Sequence, residues 1–487
     1  MGSEELRTHL EYPDGQGQIP DGAFTGAAGG AACGDLIRVS VTTEPEDPVG
    51  RISDAGFDAS GCATALAAGS AAVTLVRGRP LLDAARVGAR EIAAELGGLS
   101  PAKRHAAELA GDALHRALGA LARGAGALTT APARTLVAMS GGVDSAVAAL
   151  LAAREHSQPV GVTLELWSDP ENDGELSCCS AQAVRGAREV AHQLGMAHFS
   201  LDLRAEFRAG VVDPWLTEHR EGLTPNPCVR CNGNVRLDAM LELADRLGSP
   251  TLTTGHYART HTDSEQLEEA LLRLAADEGK DQSYVLAALS PQSLARLRFP
   301  LGDLHKTQVR ELARDAGLAV AAKRDSQDLC FLAGTGQRSF LARHGAIEAR
   351  RGEIIDTEGH HLGEHDGHQG FTVGQRRGIH TPDTRRLYVL DTDARANTVT
   401  VGLRHQLLTQ TVGVREVTLR RHGSQVDAVK VRSRGKRLAC RTVGEPPAGH
   451  HKRLDLGLIE PHERTAPGQH ACLYSGDLII GHGTICG

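Results

Sequence analysis

A glycine-rich hexapeptide, Ser140 to Ser145, lies between an apolar run typical of a strand and an alanine-rich run typical of a helix. We expect the strand over residues 135–139 and the helix over residues 146–154. A strand that leads through a tight turn into a helix directs unpaired backbone N–H groups and the positive end of the helix dipole at one spot. The pattern therefore predicts an anion-binding loop, with an ordinary glycine turn as the alternative.

The hexapeptide lacks the Gly-Lys-Ser/Thr ending of a Walker loop, so no lysine is built in to reach a terminal phosphate. It resembles instead the pyrophosphate-binding loop (PP-loop) of the ATP pyrophosphatase superfamily. Members of that superfamily split ATP into AMP and pyrophosphate and leave AMP on a substrate oxygen. The resemblance implies ATP as a ligand, and Mg²⁺ is expected to accompany the triphosphate.

Length and composition predict a multidomain globular protein. A chain of 487 residues is too long for one ordinary core, and 41% hydrophobic and 23% charged residues are ordinary fractions for a globular protein. Neither a membrane-spanning apolar run nor a secretory signal is visible, so we expect a cytoplasmic protein without a membrane partner. Ten cysteines are too sparse for a disulfide scaffold and indicate metal or sulfur chemistry.

Changes in composition and periodicity divide the chain into four domains and a linker. The third segment alternates short apolar strands with helices and predicts an α/β domain with a doubly wound parallel sheet, whose ligands bind at the carboxyl ends of the strands. The predicted segments are an α+β domain over 1–123, a linker over 124–133, the α/β domain over 134–342, a small β-rich domain over 343–410 and a β-barrel over 411–487.

Several elements can be assigned from local patterns. Strands are expected over 36–42, 160–166, 198–203 and 251–254, and helices over 62–76, 81–96, 181–194 and 235–247. Ser100 and Pro101 are expected to be the N-cap and first-turn proline of a further helix.

The net charge of −7 argues against simple nonspecific binding of nucleic acid. Basic residues nevertheless outnumber acidic ones in residues 341–487. Arg432, Arg434, Lys436, Arg437 and Arg441 cluster there, either as a phosphate-contacting surface or as a solvated strand face.

Two segments supply candidate reactive cysteines. Residues 224–232, TPNPCVRCN, place Cys228 and Cys231 after a proline-stiffened loop and before a helical segment, where a helix start would lower the pKa of the Cys231 thiol. Cys330 follows basic residues about one hundred positions later. ATP chemistry beside reactive sulfur suits thiolation of an amide-like carbonyl, because adenylation turns the oxygen into a group that leaves readily.

From residue 134 onward the chain resembles the bacterial tRNA 2-thiouridylase family (MnmA). Besides the loop and the cysteine segments, the resemblance rests on TGHYAR (254–259), KDQSY (280–284), GEHDG (363–367), GQRRG (374–378) and PGQ (467–469). It implies that Cys231 is the nucleophile and Cys330 the persulfide carrier. It implies an ATP site lined by Ala138, Met139, Ser140, Gly141, Gly142, Val143, Asp144, Ser145, Leu164 and Gly255.

The same resemblance implies contacts with tRNA. Asn226, Pro227 and Cys228 would face the wobble uridine, and the other implied contacts are His256, Lys280, Asp281, Gln282, Ser433, Arg434 and Gln469. The implied partners are tRNA and a cysteine desulfurase or other sulfur donor.

Cys228 departs from the family pattern, since many members carry an Asp there that is proposed as a general acid or base. A thiol is less suited to that role at neutral pH, because its usual pKa is about 8.5. Three alternatives stay open for Cys228, Cys231 and Cys330: ligands of a four-iron cluster, a persulfide relay ending in a Cys231 to Cys330 disulfide, or structural zinc. Cys178 and Cys179 are further but weaker candidate ligands.

The first domain resembles the IscU/NifU-type iron-sulfur scaffolds, on AACGD (31–35), GFDASGC (56–62) and PAKRH (101–105). The resemblance implies Cys33, Asp35, Cys62 and His105 as metal ligands. The third cysteine of such scaffolds is replaced by Ala106. The remaining set suits zinc or iron, and a retained fold without metal is the alternative.

Together these resemblances imply an ATP-dependent tRNA sulfurtransferase that adenylates the wobble uridine oxygen and replaces it with sulfur. One alternative is another adenylating synthetase of the PP-loop superfamily, which would not need the three cysteines. A second is a sulfur or iron-sulfur carrier with an auxiliary ATP domain.

Overall fold

The computed structural model describes residues 3–29, 34–44, 46–155, 158–169, 180–262, 269–324, 329–332, 335–345, 350–382 and 385–486. The chain forms two compact units. The first unit holds residues 1–205, 237–256 and 296–331, and the second holds residues 206–236, 257–295 and 332–487. Among the described helices, none combines the length and apolar character needed to cross a membrane.

The helices, in chain order, are α1 (Glu4–Glu11), α2 (Ala63–Val76), α3 (Leu81–Ala84), α4 (Ala89–Glu95), α5 (Arg104–Gly124), α6 (Val143–Arg154), α7 (Ala181–Gln193), α8 (Arg204–Phe207), α9 (Asp213–Arg220), α10 (Pro227–Cys231), α11 (Leu237–Arg246), α12 (Ser283–Leu286), α13 (Pro291–Arg296), α14 (Lys306–Asp315) and α15 (Gln337–Gly345).

The strands are β1 (Phe24–Gly29), β2 (Leu36–Thr43), β3 (Ile52–Ser60), β4 (Arg134–Ala138), β5 (Gln158–Glu165), β6 (Ala197–Asp202), β7 (Thr251–Thr254), β8 (Arg259–Thr262), β9 (Ala270–Arg273), β10 (Leu297–Arg298), β11 (Gly352–Ile355), β12 (His361–His365), β13 (Tyr388–Asp393), β14 (Thr398–Gly402), β15 (Leu408–Leu419), β16 (Ala428–Lys430), β17 (Leu438–Thr442), β18 (Gly449–Glu463), β19 (His470–Ser475) and β20 (Leu478–Ile485).

The N-terminal part of the first unit is an antiparallel sheet, β1-β2-β3, packed against α2 and α5. Alternation in β2 buries Ile37, Val39 and Val41 completely, which explains why this segment forms a half-buried strand. The prediction of one continuous helix over 81–96 was wrong. The backbone is extended at Gly88, and this extended residue lies between α3 and α4. Ser100 makes no side-chain capping hydrogen bond, and a 3₁₀ turn, Pro101–Lys103, precedes α5.

The rest of the first unit is built on a five-stranded parallel sheet with the order β10-β7-β4-β5-β6, which confirms the predicted doubly wound fold. The chain proceeds from β4 to β5 and β6 on one side and then adds β7 on the other side of β4. Such a reversal of strand order opens a crevice at the carboxyl ends of the strands, where ligands of open α/β sheets bind. The glycine-rich hexapeptide follows β4 and therefore lies at this crevice.

The second unit contains two further sheets. One has four strands in the order β12-β11-β14-β13. The other has the order β15-β18-β17-β16-β19-β20-β9-β8, and a direct pairing of β15 with β20 closes its first six strands into a barrel. Val417, Val429, Leu456 and Leu473 are completely buried in the barrel core. This confirms the β-barrel expected at the end of the chain.

Candidate functional site

The hexapeptide forms a compact turn between β4 and α6. The Ser145 hydroxyl accepts a hydrogen bond from the Ser140 backbone N–H (3.1 Å) and donates one to the Gly142 carbonyl (3.1 Å). Gly141 has a φ of +67°, which favours glycine, and a side chain there would overlap the carbonyl of Ala183 in the first turn of α7. The loop is thus folded by its own hydroxyl groups and by close packing against α7.

Gly255, which follows β7, closes the other side of the loop. A Cβ atom at this position would lie 2.7 Å from the Ser145 backbone nitrogen and 2.8 Å from the Asp144 carbonyl carbon, so only glycine fits. Leu164 lies near the end of the neighbouring strand β5 and is buried. Of the predicted ATP-lining residues, the structure therefore brings Gly255 into direct contact with the first turn of α6.

Two lysines that the sequence analysis did not place at this loop reach it, and one of them, Lys323, belongs to the basic residues before Cys330. Lys306, the first residue of α14, donates to both oxygens of Asp144 at 2.6 and 2.8 Å, and Lys323 donates to the Gly141 carbonyl at 2.9 Å. They are 162 and 182 residues distant in sequence from their partners. Two ammonium groups from later in the chain therefore lie at the loop, which itself contains no lysine. No local motif indicates that either lysine contacts the loop, so these contacts could be identified only from the tertiary structure.

The proline-rich cysteine segment lies in the second unit. Asn226 is the N-cap of α10, and its side-chain oxygen accepts a hydrogen bond from the Cys228 backbone N–H (3.1 Å). Pro227 occupies the first turn of that helix. Cys228 is half-buried and Cys231 is buried. Helical backbone continues from Cys231 through a π-helical turn, Asn232–Arg236, into α11. Cys228 therefore lies in the first turn of this helical run and Cys231 follows one turn later.

Gln469 anchors the base of this cysteine segment. Its side-chain amide donates to the Thr224 carbonyl at 2.6 Å, and the Thr224 N–H donates to the Pro467 carbonyl at 2.8 Å. The turn over 467–469 therefore clamps the chain four residues before Cys228. The resemblance implied a tRNA contact for Gln469, and the structure gives this residue an intramolecular partner.

The segment that begins at Lys280 is also tied to protein groups. The Asp281 carboxylate, whose side chain is 4% exposed, accepts from the Ser283 hydroxyl (2.9 Å) and lies 3.8 Å from the Lys430 ammonium. The Gln282 side-chain oxygen accepts from the Tyr257 N–H at 3.0 Å. Lys280 is half-buried.

The other implied tRNA residues have different surroundings. Ser433 and Arg434 are exposed in the turn after β16. In the first unit, the His256 ring nitrogen Nδ1 lies 2.9 Å from the Thr254 hydroxyl.

Cys330 belongs to the first unit. It is half-buried, and its neighbour Phe331 is buried with its ring edge-on to that of Trp167, at 6.5 Å between centroids. Cys228 and Cys231 belong to the other unit, so the three-cysteine site stays a prediction. Cys178 and Cys179 lie outside the described residues.

A separate ligand set occurs in the N-terminal domain. One Asp35 oxygen accepts from the Cys62 N–H (2.8 Å), and the other lies 3.3 Å from the Cys62 Sγ and 3.1 Å from the His105 Nε2. One ligand atom from each residue lies within 4.8 Å of the others. Hydrogen bonds from the Cys62 N–H, and then from the Cys62 and His105 side chains, hold the pKa of the Asp35 carboxyl below its usual value.

The surroundings of His105 suit a metal ion. Its Nδ1 lies 2.9 Å from the Ala102 carbonyl and its Nε2 faces the Asp35 carboxylate, so both ring nitrogens meet acceptors. A neutral imidazole carries a single N–H, and a metal ion at Nε2 would take the place of the second proton. Thiolate, carboxylate and imidazole are all ligands of zinc. Cys33 lies outside the described residues, and Ala106 is fully buried.

Four family models match consecutive parts of the chain. The NifU-like N terminal domain matches residues 2–125, and the tRNA methyl transferase HUP domain matches residues 133–334. The tRNA methyl transferase PRC-barrel domain matches residues 338–403, and the aminomethyltransferase beta-barrel domain matches residues 415–485. With the parallel sheet and the loop after β4, these matches define a HUP-type protein that carries β-rich domains behind a NifU-like domain.

Full-length relatives narrow this class. The bifunctional protein NifU/MnmA of Rubrobacter xylanophilus is 40% identical over 490 residues, which covers 98% of this chain and 97% of the relative. The tRNA-specific 2-thiouridylases MnmA of Corynebacterium urealyticum and Acidithiobacillus ferrooxidans are 41% and 40% identical, and cover 72% and 73% of this chain and 91% and 98% of their own lengths. The chain therefore belongs to the MnmA family of tRNA-specific 2-thiouridylases, in the form fused to an N-terminal NifU-like domain.

Proposed function

We propose that this protein is an ATP-dependent tRNA sulfurtransferase that converts the wobble uridine to 2-thiouridine, with AMP and pyrophosphate as products. The observation that carries the proposal is the loop after β4, which is closed by Gly255 and faced by two lysine ammonium groups. It occurs in a chain that matches proteins named tRNA-specific 2-thiouridylase over 72% of its length.

In the first half-reaction the uridine O2 attacks the α-phosphate of ATP, the bond to the β-phosphate breaks, and pyrophosphate leaves. Loop N–H groups and the amino end of α6 stabilise the phosphate charge, and Lys306 and Lys323 add two cations. Asp144 supplies a carboxylate at the loop, a ligand type that Mg²⁺ prefers. When bound there, Mg²⁺ would neutralise triphosphate charge.

In the second half-reaction a Cys330 persulfide, formed by a sulfur donor, attacks C2 of the adenylated uridine, and AMP leaves with the oxygen. The Cys231 thiolate then attacks the Cys330 sulfur, which releases 2-thiouridine and leaves a Cys231 to Cys330 disulfide. A dithiol reductant restores both thiols. In the alternative, Cys228, Cys231 and Cys330 hold an iron-sulfur cluster that presents sulfide.

A reconstitution assay tests the proposal. Purified full-length protein is incubated with ATP, unmodified tRNA and either sulfide or a cysteine desulfurase with cysteine, and the nucleosides are analysed by mass spectrometry. We expect 2-thiouridine and repeated release of AMP in the wild type, and no 2-thiouridine in Cys231→Ser or Cys330→Ser. Because adenylation precedes sulfur transfer, a single adenylation can still occur in these variants. Repeated ATP consumption at the wild-type rate without the thiols favours an adenylating synthetase and contradicts the proposal.

Anaerobic absorption spectra separate the two sulfur routes. A cluster held by Cys228 gives visible absorption that Cys228→Ala removes. A relay instead gives a colourless protein whose Cys330 carries one extra sulfur atom, detected by mass spectrometry after exposure to a desulfurase. Cys486→Ser is a suitable control, because Cys486 is a half-buried cysteine near the end of the barrel.

The ligand set in the NifU-like domain favours a second activity, in which Asp35, Cys62 and His105 hold zinc or iron and the domain carries sulfur or iron-sulfur units. Metal analysis of the wild type, His105→Ala and Cys62→Ser tests this role. We expect bound metal in the wild type and its loss in both variants, with binding of α,β-methylene-ATP retained. Equal metal content in all three proteins would contradict it.

A further inference from the structure

The NifU-like domain covers the open edge of the catalytic sheet. β6 is the edge strand, and its His198 N–H donates to the Ala85 carbonyl at 3.0 Å. The His198 carbonyl in turn lies 2.8 Å from the His115 Nδ1 of α5. Exposed strand edges present rows of unpaired backbone groups. Here the N-terminal domain supplies partners for both backbone groups of an edge residue, so the two domains are docked rather than loosely tethered.

Charged groups extend this docking toward the nucleotide loop. The Arg188 guanidinium pairs with Asp112 in a contact where both side chains are at most 9% exposed. Arg185 pairs with Asp112 at 2.7 Å and with Glu108 at 2.9 Å. Both arginines belong to α7, whose first turn packs against Gly141. The beginning of α7 is therefore held between α5 and the nucleotide loop.

Arg116 makes the contact that bears most directly on the site. Its Nε and Nη2 donate to the two Glu165 oxygens at 2.8 and 2.7 Å, and its Nη1 donates to the Ala27 carbonyl at 2.6 Å. The Glu165 side chain is 8% exposed, and that of Arg116 is 25% exposed. A bidentate pair of this kind fixes orientation as well as distance. Arg116 thus joins β1 of the NifU-like domain to the last residue of β5.

The end of β5 leads to two parts of the candidate site. Leu164, immediately before Glu165, is a predicted ATP-lining residue. Trp167, two residues after Glu165, contacts Phe331 next to Cys330. A shift of the strand end would therefore displace both the nucleotide wall and the neighbour of the proposed persulfide carrier.

We propose that Arg116 is a positioning residue for the thiolation reaction, contributed by the NifU-like domain. Its pair with Glu165 fixes the end of β5. This holds Leu164 in position and maintains the contact between Trp167 and Phe331. The inference rests on the proposed function, since it assumes that ATP binds at the loop after β4. It assigns the N-terminal domain a structural role in the ATP site, independent of any metal that it holds.

The test uses the full-length protein and needs no tRNA. The dissociation constant of α,β-methylene-ATP is measured by equilibrium dialysis, the alkylation rate of Cys330 by mass spectrometry, and Tm by calorimetry, for Arg116→Met, Arg116→Lys and Glu165→Gln. We expect Arg116→Met to raise the dissociation constant about tenfold, because two charge-assisted hydrogen bonds are lost. Cys330 should be alkylated several-fold faster, and Arg116→Lys should give intermediate values.

Two comparisons separate positioning from general stability. The double variant Arg116→Met/Glu165→Gln removes both members of the ion pair and leaves no unpaired charge, so Tm should recover toward wild type while the dissociation constant stays raised. Arg86→Met is the matched control, because Arg86 donates to the Gly195 carbonyl at 3.1 Å across the same domain boundary, before β6 begins. It should leave nucleotide affinity unchanged.

An unchanged dissociation constant in Arg116→Met, or an equal rise in Arg86→Met, would overturn the inference. Failure of the wild type to form 2-thiouridine would instead count against the proposed function, since binding of the analogue and alkylation of Cys330 are measured without that reaction.

Discussion

Lys306 and Asp144 form an ion pair at the nucleotide loop, in which the ammonium group donates to both carboxylate oxygens at 2.6 and 2.8 Å. The Lys306 side chain is 12% exposed and that of Asp144 is 33% exposed, so the pair is partly shielded from water. Asp144 lies in the first turn of α6 and Lys306 begins α14. The pair therefore holds a cation in a fixed position beside the loop at which the triphosphate of ATP is proposed to bind.

We predict that Lys306→Met weakens ATP binding at least tenfold. A charge-assisted hydrogen bond contributes about 1.5–3 kcal/mol, and each 1.4 kcal/mol changes affinity about tenfold. Isothermal titration with α,β-methylene-ATP measures the effect. Lys452→Met is the control, because Lys452 is exposed on β18 of the other unit. Equal affinity in the two variants would show that Lys306 serves Asp144 alone.

We predict that Gly255→Ala abolishes measurable nucleotide binding and lowers stability by about 1–3 kcal/mol. The added methyl group would press on backbone atoms of Asp144 and Ser145, which cannot move without distorting the loop. Gly186→Ala is the matched control, since Gly186 lies within α7 and a Cβ there meets open space. That change should raise stability by about 0.5–1 kcal/mol, because alanine is the better helix former. Urea unfolding measures both, and normal nucleotide binding by Gly255→Ala would contradict the loop geometry.

Local patterns predicted much of this fold, and long-range contacts account for what they missed. The strand over Thr251–Thr254 was predicted with its observed limits, because its β-branched threonines and the flanking Pro250 and Gly255 suffice. The break at Gly88 was missed because the surrounding residues keep a helical pattern. The Arg116 to Glu165 pair and the Lys306 to Asp144 pair join residues 49 and 162 positions apart. A single sequence carries no signal for such pairings. The domain boundaries and the roles of the site residues stay predictions.

Acidification is predicted to loosen the docking of the NifU-like domain on β6. Burial is the main reason that the pKa of His198 lies well below its usual 6.5. Electrostatic repulsion by the neighbouring side chains of His115, Arg188 and His192 lowers it further. Below about pH 6.5 His198 binds a proton in the unfolded chain but stays neutral in the folded one. Its contribution to the free energy of unfolding is therefore fully present above that pH and is lost as the pH falls further.

The expected loss is about 1 kcal/mol per pH unit for this group. Hydrogen exchange of β6 peptides during urea unfolding at pH 7.5, 6.5 and 5.5 measures it. His198→Gln should reduce the dependence without removing it, because burial also lowers the pKa of His115 and of His192. His380→Gln, which alters an exposed histidine, should not change it. A dependence in His198→Gln as steep as that of the wild type would assign the effect to other groups.

The last prediction concerns Gln469. The resemblance to tRNA 2-thiouridylases implies that this residue contacts tRNA, whereas in the structure it bonds to Thr224. Its amide donates to the Thr224 carbonyl at 2.6 Å, so it holds the chain that leads to Cys228. Loss of one hydrogen bond costs about 1 kcal/mol, and Gln469→Ala should therefore speed alkylation of Cys228 about fivefold in the absence of tRNA. Gln425→Ala, at an exposed glutamine of the same unit, is the control. If the alkylation rate stays at the wild-type value while tRNA affinity falls, Gln469 acts on the RNA directly and the clamp on Thr224 is incidental.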